Sequence, residues 1–432
     1  MCRRSIPLLI LLLLVLPRPA GAQVAAAPPL SLRQAVDEAV RRNPELAALR
    51  AEVDVQRPVP QQQGSLPPPV AEAQVWQWPL DTLNPSRPNM YMFMLTQELP
   101  GRGKRALRVA LAEKDVAVSE SLIARRTSEV IDRVKQAYAE LFVSRKAGEI
   151  DRSTADLLRQ LADVAQAKYE TGRISQQDVL KPIVELSRLH GELLNVAQAG
   201  DLARSRLNAL MNRPPDDPIG PLAESGELEV TATSRELQDL AVGRHPELRT
   251  ASLQTARAEA ALALTRRDLE PDFTVQGGYM LMPHDTDAWM GRIGVTWPGA
   301  PWARRGIAAR IAQREAAVTA AHAQHAVAEN AIRLAVEDAY VRARGAQQRA
   351  ALLRTTILPQ SQQTLDVSRI AYQADRVEFL ALLDNERMLL DARLSYYRAL
   401  SEQDQALADL ERAVGAELAP TAVRPVALAE VK

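Results

Sequence analysis

Four windows of the chain alternate apolar and polar residues with a period of two. In the third window Phe273 and Val275 lie on one face, whereas Thr274 and Gln276 lie on the other. Such alternation is typical of transmembrane β-strands, whose apolar face contacts lipid and whose polar face lines the lumen. The core of a soluble β-sandwich is the alternative. The predicted strands lie at about 70–78, 90–99, 272–282 and 288–298.

The distribution of tryptophan favours the membrane interpretation. All five tryptophans lie in or beside these windows, which occupy a small part of the chain. Membrane interfaces favour tryptophan because one end of its ring is apolar and the other is wet. The residues are Trp76, Trp78, Trp289, Trp297 and Trp302.

Proline-free stretches predict very long helices. No proline occurs between Pro100 and Pro182 or between Pro301 and Pro359, and both stretches are rich in Ala, Glu, Arg and Leu, which are good helix formers. Apolar residues recur there with coiled-coil spacing, and alanines between them permit side-by-side packing of helices in a cylinder. A helix of ~65 residues is about 100 Å long, so it needs helical partners along its length. Helices are predicted at about 104–168, 175–212, 303–371 and 378–414.

Several motifs occur twice in the same order, which predicts a tandem duplication. The run 41–46 has a counterpart at 243–248, and the run 167–169 has one at 370–372. A first repeat at 23–213 and a second at 234–415 are therefore predicted, joined by a proline-rich linker at 214–233 and followed by a tail at 416–432.

The first 22 residues predict a cleaved secretory signal peptide. Arg3 and Arg4 precede an apolar run at 8–16, and the Ala-Gly-Ala sequence at 20–22 fits a cleavage site. The apolar run is too short to span a bilayer as a stable helix; a membrane anchor formed by the same residues is the alternative. The single cysteine, Cys2, lies in this leader, so the mature chain is expected to have no disulfide.

Charge and motifs exclude several classes of function. Lys and Arg together number 53, as do Asp and Glu, so the formal net charge is zero. No global field attracts nucleic acid, and no nucleic-acid partner is expected. The chain also lacks a phosphate-binding glycine-rich loop, a nucleophile elbow and a His-Glu-x-x-His motif. Neither an enzyme nor a cofactor is therefore expected.

Four strands in one chain cannot close a barrel, because the smallest single-chain barrels need eight. Open strand edges are not tolerated in lipid. Closure therefore requires several chains, and three copies would provide twelve strands. The strand windows predict an oligomer.

Four motifs resemble those of the TolC family of outer membrane efflux proteins, and the resemblance covers nearly all of the chain after the leader. The motifs are Asn43-Pro44-Glu45-Leu46, Tyr169-x-x-Gly172, Leu207-Asn208-x-Leu210-Met211, and Tyr372 followed by Leu382-Leu383-Asp384. The basic junction at 100–105 is similar to that of the heavy-metal-efflux branch of the family.

The resemblance implies a mainly α fold with a small membrane β-barrel. A homotrimer would place a twelve-stranded barrel in outer-membrane lipid and a twelve-helix tunnel in the periplasm. A periplasmic adaptor protein and an inner-membrane pump are the implied partners. The implied function is a passive conduit of a tripartite efflux system for metal ions or small toxic compounds. A type I secretion duct of the same fold and a periplasmic coiled-coil adaptor protein are the alternatives.

The resemblance also implies two kinds of site. Adaptor proteins of the family dock at the tips of the helical hairpins, and the matching residues here are Tyr169, Gly172, Arg173, Tyr372, Asp375 and Arg376. The family closes its periplasmic aperture with acidic residues just past the second tip. The matching positions are Ala381 and Asp384, with Glu378 as a further acidic residue nearby. A threefold ring of Asp384 would attract cations.

Methionines cluster in the strand windows. Six of the nine methionines lie there, all with the parity of the polar face and all toward the hairpin ends. Thioethers are soft ligands that suit Cu(I), so the barrel mouth is a hypothetical soft-metal site; packing of a narrow mouth by adaptable side chains is the alternative. The residues are Met90, Met92, Met94, Met280, Met282 and Met290.

Overall fold

The computed structural model describes residues 29–418, except 173, 225–227 and 375, together with the backbone of 421–422. The predicted signal peptide, Arg173, Asp375 and most of the predicted tail therefore lie outside the described residues.

The described elements form long helices and a small sheet, so the predicted mainly α fold is confirmed. The first half contains α1 (Leu32–Arg42), α2 (Pro44–Gln56), α3 (Val59–Gly64), β1 (Val70–Trp76), β2 (Met90–Leu99), α4 (Lys104–Glu170) and α5 (Gln176–Leu210). The second half contains β3 (Leu228–Glu229), α6 (Ser234–Arg244), α7 (Pro246–Arg266), β4 (Phe273–Leu281), β5 (Ala288–Val295), α8 (Pro301–Leu352), α9 (Leu358–Gln373), α10 (Phe379–Val414) and β6 (Thr421–Ala422).

The twice-occurring Asn/His-Pro-Glu-Leu motif begins a helix in each half. Asn43 caps α2 by accepting a hydrogen bond from the Glu45 N–H at 2.9 Å, and Pro44 occupies the first helical position, where a missing N–H costs nothing. His245 caps α7 in the same way, because its Nδ1 accepts from the Glu247 N–H at 3.2 Å. The Asn43 amide also donates to the Leu210 carbonyl at the end of α5 at 3.1 Å.

The four longer strands form one antiparallel sheet in the order β1-β2-β4-β5. The sheet thus joins a hairpin from each half, and β1 and β5 form its edges. β1 ends at Trp76, two residues before the predicted end at 78, because Gln77 takes a left-handed φ of 57°. β5 ends at Val295, before the predicted end at 298, where Pro298 has no N–H to continue a ladder.

The helices pack around several buried clusters, and the two largest lie one in each half of the chain. Val134, Tyr138 and Leu207 belong to the cluster of the first half. Val336 and Leu410 belong to the cluster of the second half. α4 packs against α5, α7 and α10, so it forms the main contact between the two halves. Among the described helices, none is long and apolar enough to cross a bilayer.

The helix predicted at 303–371 is not continuous. Residues Leu353–Ile357 form a π-helical turn between α8 and α9. Pro359 has no N–H, and in a regular α-helix its ring would clash with the carbonyl four residues earlier, at Thr355. A wider turn accommodates the proline without ending the helical rod.

Candidate functional site

The first hairpin tip is a tight turn between α4 and α5. Gly172 takes a φ of +71°, which glycine adopts without steric cost, and its N–H donates to the Tyr169 carbonyl at 2.8 Å. Ser175 and Asp178 form a capping box at the start of α5. The Tyr169 ring is 41% exposed. This tip is thus a fixed turn that presents an aromatic side chain to solvent.

The second tip, between α9 and α10, has a half-buried tyrosine that packs against its neighbours. Tyr372 packs edge-on against Phe379 with ring centroids 5.8 Å apart. The Lys168 ammonium of the first tip lies 4.1 Å from the centre of the Tyr372 ring. The Arg376 N–H donates to the Ala371 carbonyl at 2.9 Å. The structure therefore brings the two predicted tips together but gives their tyrosines different surroundings.

The predicted aperture residues lie at the start of α10. Glu378 is the N-cap residue, and its side chain makes no capping hydrogen bond. Asp384 has a side chain that is 71% exposed, and its oxygen lies 3.8 Å from the Arg387 guanidinium. Ala381, on the turn before it, offers no charge. One exposed carboxylate per chain is therefore available on this part of α10, with Glu378 near the tip.

A buried cluster of charged side chains lies beside Asp384, and it was not predicted from the sequence. Glu185 of α5 is only 3% exposed, accepts hydrogen bonds from Arg188 at 3.0 and 2.8 Å, and also pairs with Arg387 of α10. Burial raises the pKa of the Glu185 carboxyl, but the two arginines outweigh that effect and hold the pKa below its usual value. In the sequence, Glu185 and Arg387 follow the tyrosines of their tips at similar spacings. Opposite charges at matching positions of the two hairpins were the signal from which this pair could have been predicted.

The sheet places the predicted methionines on one face. Met92 pairs directly with Met280, while Met94 and Met290 both pair with Gly278 between them. Met90 pairs with Trp76, and Met282 follows the end of β4. The six side chains are half-buried, whereas Phe93, Leu95 and Ile293, of opposite parity, are exposed. The parity that the sequence predicted is present in all five methionines that lie within strands.

The basic junction between β2 and α4 serves the fold. Lys104 is 4% exposed, and its ammonium lies 2.9 Å from both carboxylate oxygens of Asp272, at the entrance to β4. The same carboxylate accepts a hydrogen bond from the Gly101 N–H at 2.6 Å. This ion pair fixes the start of α4, in the first half, to the start of β4, in the second half. Among the described residues, no group of three or more His, Asp or Glu side chains is arranged to hold a metal ion.

Comparison with known proteins identifies the class. Residues 237–416 match the model of the outer membrane efflux protein family. This match, with the channel-like fold, confirms the resemblance to the TolC family that the motifs predicted. The second half of the chain is therefore similar to outer membrane efflux proteins. Its relatives are efflux proteins and not enzymes.

Particular relatives share most of its length. The cobalt-zinc-cadmium resistance protein CzcC of Cupriavidus metallidurans is 25% identical over 398 residues, which cover 90% of this chain and 91% of CzcC. The open-state outer membrane channel MtrE of Neisseria gonorrhoeae superposes with a TM-score of 0.72 at 20% identity, over 90% of this chain and 89% of MtrE. The outer membrane protein VceC of Vibrio cholerae gives a TM-score of 0.72 at 18% identity, over 89% and 96% of the two chains.

Proposed function

We propose that this protein is an outer membrane efflux channel that exports heavy-metal ions, as the outer membrane duct of a tripartite pump. The assignment of heavy-metal ions as the cargo rests on the similarity to a cobalt-zinc-cadmium resistance protein over 90% of the chain. The duct is passive: a pump in the inner membrane supplies the energy, and this chain supplies the wall and the gate without catalysing a reaction.

The proposed functional unit is a homotrimer built from two tandem repeats per chain. Four strands are too few to close a barrel, and within the described part of the chain β1 and β5 leave both edges of the sheet unpaired. The strand residues exposed on the odd-numbered face include Phe93, Val275, Ile293 and Val295, which suit contact with lipid. Pairing β1 of one copy with β5 of the next would close the ring with twelve strands.

The hairpin tips are the proposed docking site for a periplasmic adaptor protein. Tyr169 is exposed beside the ordered turn at Gly172, and exposed tyrosines contribute much of the binding energy at protein interfaces. Tyr372 supports this surface through its contacts with Lys168 and Phe379. Arg173, Asp375 and Arg376 complete the tip in sequence.

The start of α10 is the proposed periplasmic gate. In a trimer Asp384 would occur three times around the axis, and a ring of carboxylates favours cations over anions. A gate with this preference suits metal ions as the cargo. Glu378, nearer the tip, would add to the same negative field.

A deletion strain tests the proposal. Cellular cobalt, zinc, cadmium, copper and silver would be measured after challenge with each metal, with a panel of small toxic organic compounds alongside. We expect at least one metal to accumulate and the intact gene to reverse this accumulation. Unchanged metal content together with raised sensitivity to the organic compounds would overturn the metal assignment and leave a channel for organic cargo.

A further inference from the structure

The even-numbered face of the sheet carries two adjacent cross-strand rows that contain methionine. In the first row, Glu72, Met94, Gly278 and Met290 lie side by side on the four strands. In the second row, Gln74, Met92, Met280 and Ala288 lie side by side. Directly opposed residues of neighbouring antiparallel strands have their Cβ atoms about 5 Å apart. This spacing places the Met92 and Met280 side chains together, whereas Met94 and Met290 lie on either side of Gly278.

The absence of a side chain at Gly278 lets the methionines meet. A Cβ at this position would lie 3.0 Å from the Met94 Cγ, which means that the Met94 side chain already lies over the glycine, on the path toward Met290. Gly278 is buried although it has no side chain of its own. The amide nitrogen of Gln276 also lies 3.4 Å from the Met94 sulfur. This contact holds the sulfur in place from the row of Thr96, Gln276 and Arg292, which borders the first row on the side away from the second.

The placement of these methionines is selective. Apart from Met1, only Met211 and Met388 lie outside the two hairpins. On the opposite face of the same strands the large side chains are aromatic or branched, such as Phe93, Tyr279 and Ile293. If methionine served only as an apolar filler, both faces of the strands would be expected to carry it.

We propose that Met92, Met94, Met280 and Met290 form a thioether site for a soft monovalent cation, Cu(I) or Ag(I), on the inner wall near the outer end of the sheet. Neutral sulfur ligands prefer such ions, whereas Zn(II) and Co(II) prefer nitrogen, oxygen or thiolate ligands. Glu72, at the end of the first row, supplies one negative charge to balance a single positive charge. The site rests on the proposed function, because it names the class of metal that the duct carries.

The test is direct binding of Ag(I), a redox-stable substitute for Cu(I), to the purified full-length channel in detergent and chloride-free buffer. A Cys2→Ser background removes the only cysteine of the sequence, so that no thiol contributes even where the predicted signal peptide is retained. The test variant replaces Met92, Met94, Met280 and Met290 by leucine, and the matched control replaces Met211 and Met388 by leucine. Bound silver is measured by equilibrium dialysis, and its sulfur ligands by X-ray absorption.

We expect saturable binding of Ag(I) with sulfur ligation, at least a tenfold loss of affinity in the four-site variant, and no change in the control. Zn(II) should not compete. A four-site variant that assembles normally and binds silver as tightly as the parent would overturn the site, as would a parent without saturable binding. Because leucine could disturb assembly, the single change Met94→Leu is measured as well and must also weaken binding.

The binding assay and the deletion strain separate the two proposals. Loss of silver binding in the variants, with unchanged metal content in the deletion strain, would leave the site standing and remove metal export as the function. Metal accumulation in the deletion strain, with no silver bound to the purified channel, would leave metal export standing and remove the thioether site.

Discussion

Two acidic residues of α10, Asp384 and Glu386, have opposite surroundings although they lie two positions apart. The Glu386 side chain is 7% exposed and accepts a hydrogen bond from Arg369 at 2.7 Å. The Asp384 side chain is 71% exposed, and its nearest cation, Arg387, is 3.8 Å away and also pairs with Glu185. An exposed carboxylate that is only weakly paired remains available to interact with solvent and with ions. Asp384 is therefore the residue of this pair that can act on a passing ion.

Replacement of Asp384 by asparagine should lower the preference of the channel for cations. The amide keeps the size of the side chain but removes one charge per chain, and thus three from the proposed ring. The measurement is the reversal potential of purified channels in a planar bilayer under a salt gradient. Asp366→Asn, on α9, is the matched control and should leave the potential unchanged. Equal shifts for the two variants would place the gate elsewhere.

At the scale of elements, the Glu185 cluster joins hairpins of the two halves. α5 carries Glu185 and α10 carries Arg387, which also lines the groove between these helices. Hydrogen bonds to charged groups stabilise a fold by about 1.5–3 kcal/mol, and less where the partners are partly in water. The two arginines are about half exposed, so the lower end of that range applies.

Replacing Glu185 by glutamine should lower the thermal unfolding temperature, with a loss of roughly 1–2 kcal/mol at neutral pH. The pKa of Glu185 is lowered in the folded chain. Its stabilisation is therefore fully present above the unfolded pKa of about 4.3 and disappears as the pH falls through the lower folded value. Circular dichroism melts at several pH values test this, with the exposed Glu192→Gln as control. If the unfolding temperatures of parent and variant still differed in strong acid, the charge of Glu185 would not be the source of the stabilisation.

The strand faces give a second prediction at this scale. Val275 is 43% exposed on the odd-numbered face of β4, and its neighbour Gln276 is half-buried on the methionine face. Val275→Arg should impair assembly by about 2–4 kcal/mol near the middle of the bilayer, whereas Gln276→Arg should be tolerated. The yield of heat-resistant oligomer in outer-membrane extracts measures both. Equal yields would mean that the inner and outer faces are assigned wrongly.

Most elements could be predicted because their signals are local. Alternation located β2 at 90–99, and the lack of proline located α4. The π-helical turn at Leu353–Ile357 was not predicted, because a proline can end a helix or be absorbed by it, and packing decides which. The Glu185–Arg387 pair was not predicted either, since it depends on which helices become neighbours. Conversely, Asp384 was identified only through the family resemblance.

At the scale of the whole molecule, one chain leaves its sheet incomplete. β1 and β5 run antiparallel to their inner neighbours, and no described residue pairs with their outer sides. Unpaired backbone groups in lipid each cost several kcal/mol, so a lone four-stranded sheet would not remain in a membrane. In the order β1-β2-β4-β5, the two edge strands point in opposite directions, and β5 of one copy can therefore continue the antiparallel pattern with β1 of the next.

This geometry predicts covalent trimers from cysteine pairs placed on the two edges. The Cys2→Ser variant serves as the background, and cysteines replace Ala73 in β1 and Ile293 in β5. Both positions are odd-numbered, so they lie on the same face of the sheet. Cysteines at neighbouring odd positions would then identify the register between copies. Oxidation of the correct pair should give a ladder on denaturing gels that ends at three chains, because a closed ring has no further free edge. As control, cysteines at Ala73 and Phe93, which are direct partners within one sheet, should form only links inside a chain. A ladder that stops at two chains, or that continues past three, would contradict closure by three copies and would require a different number of strands in the barrel.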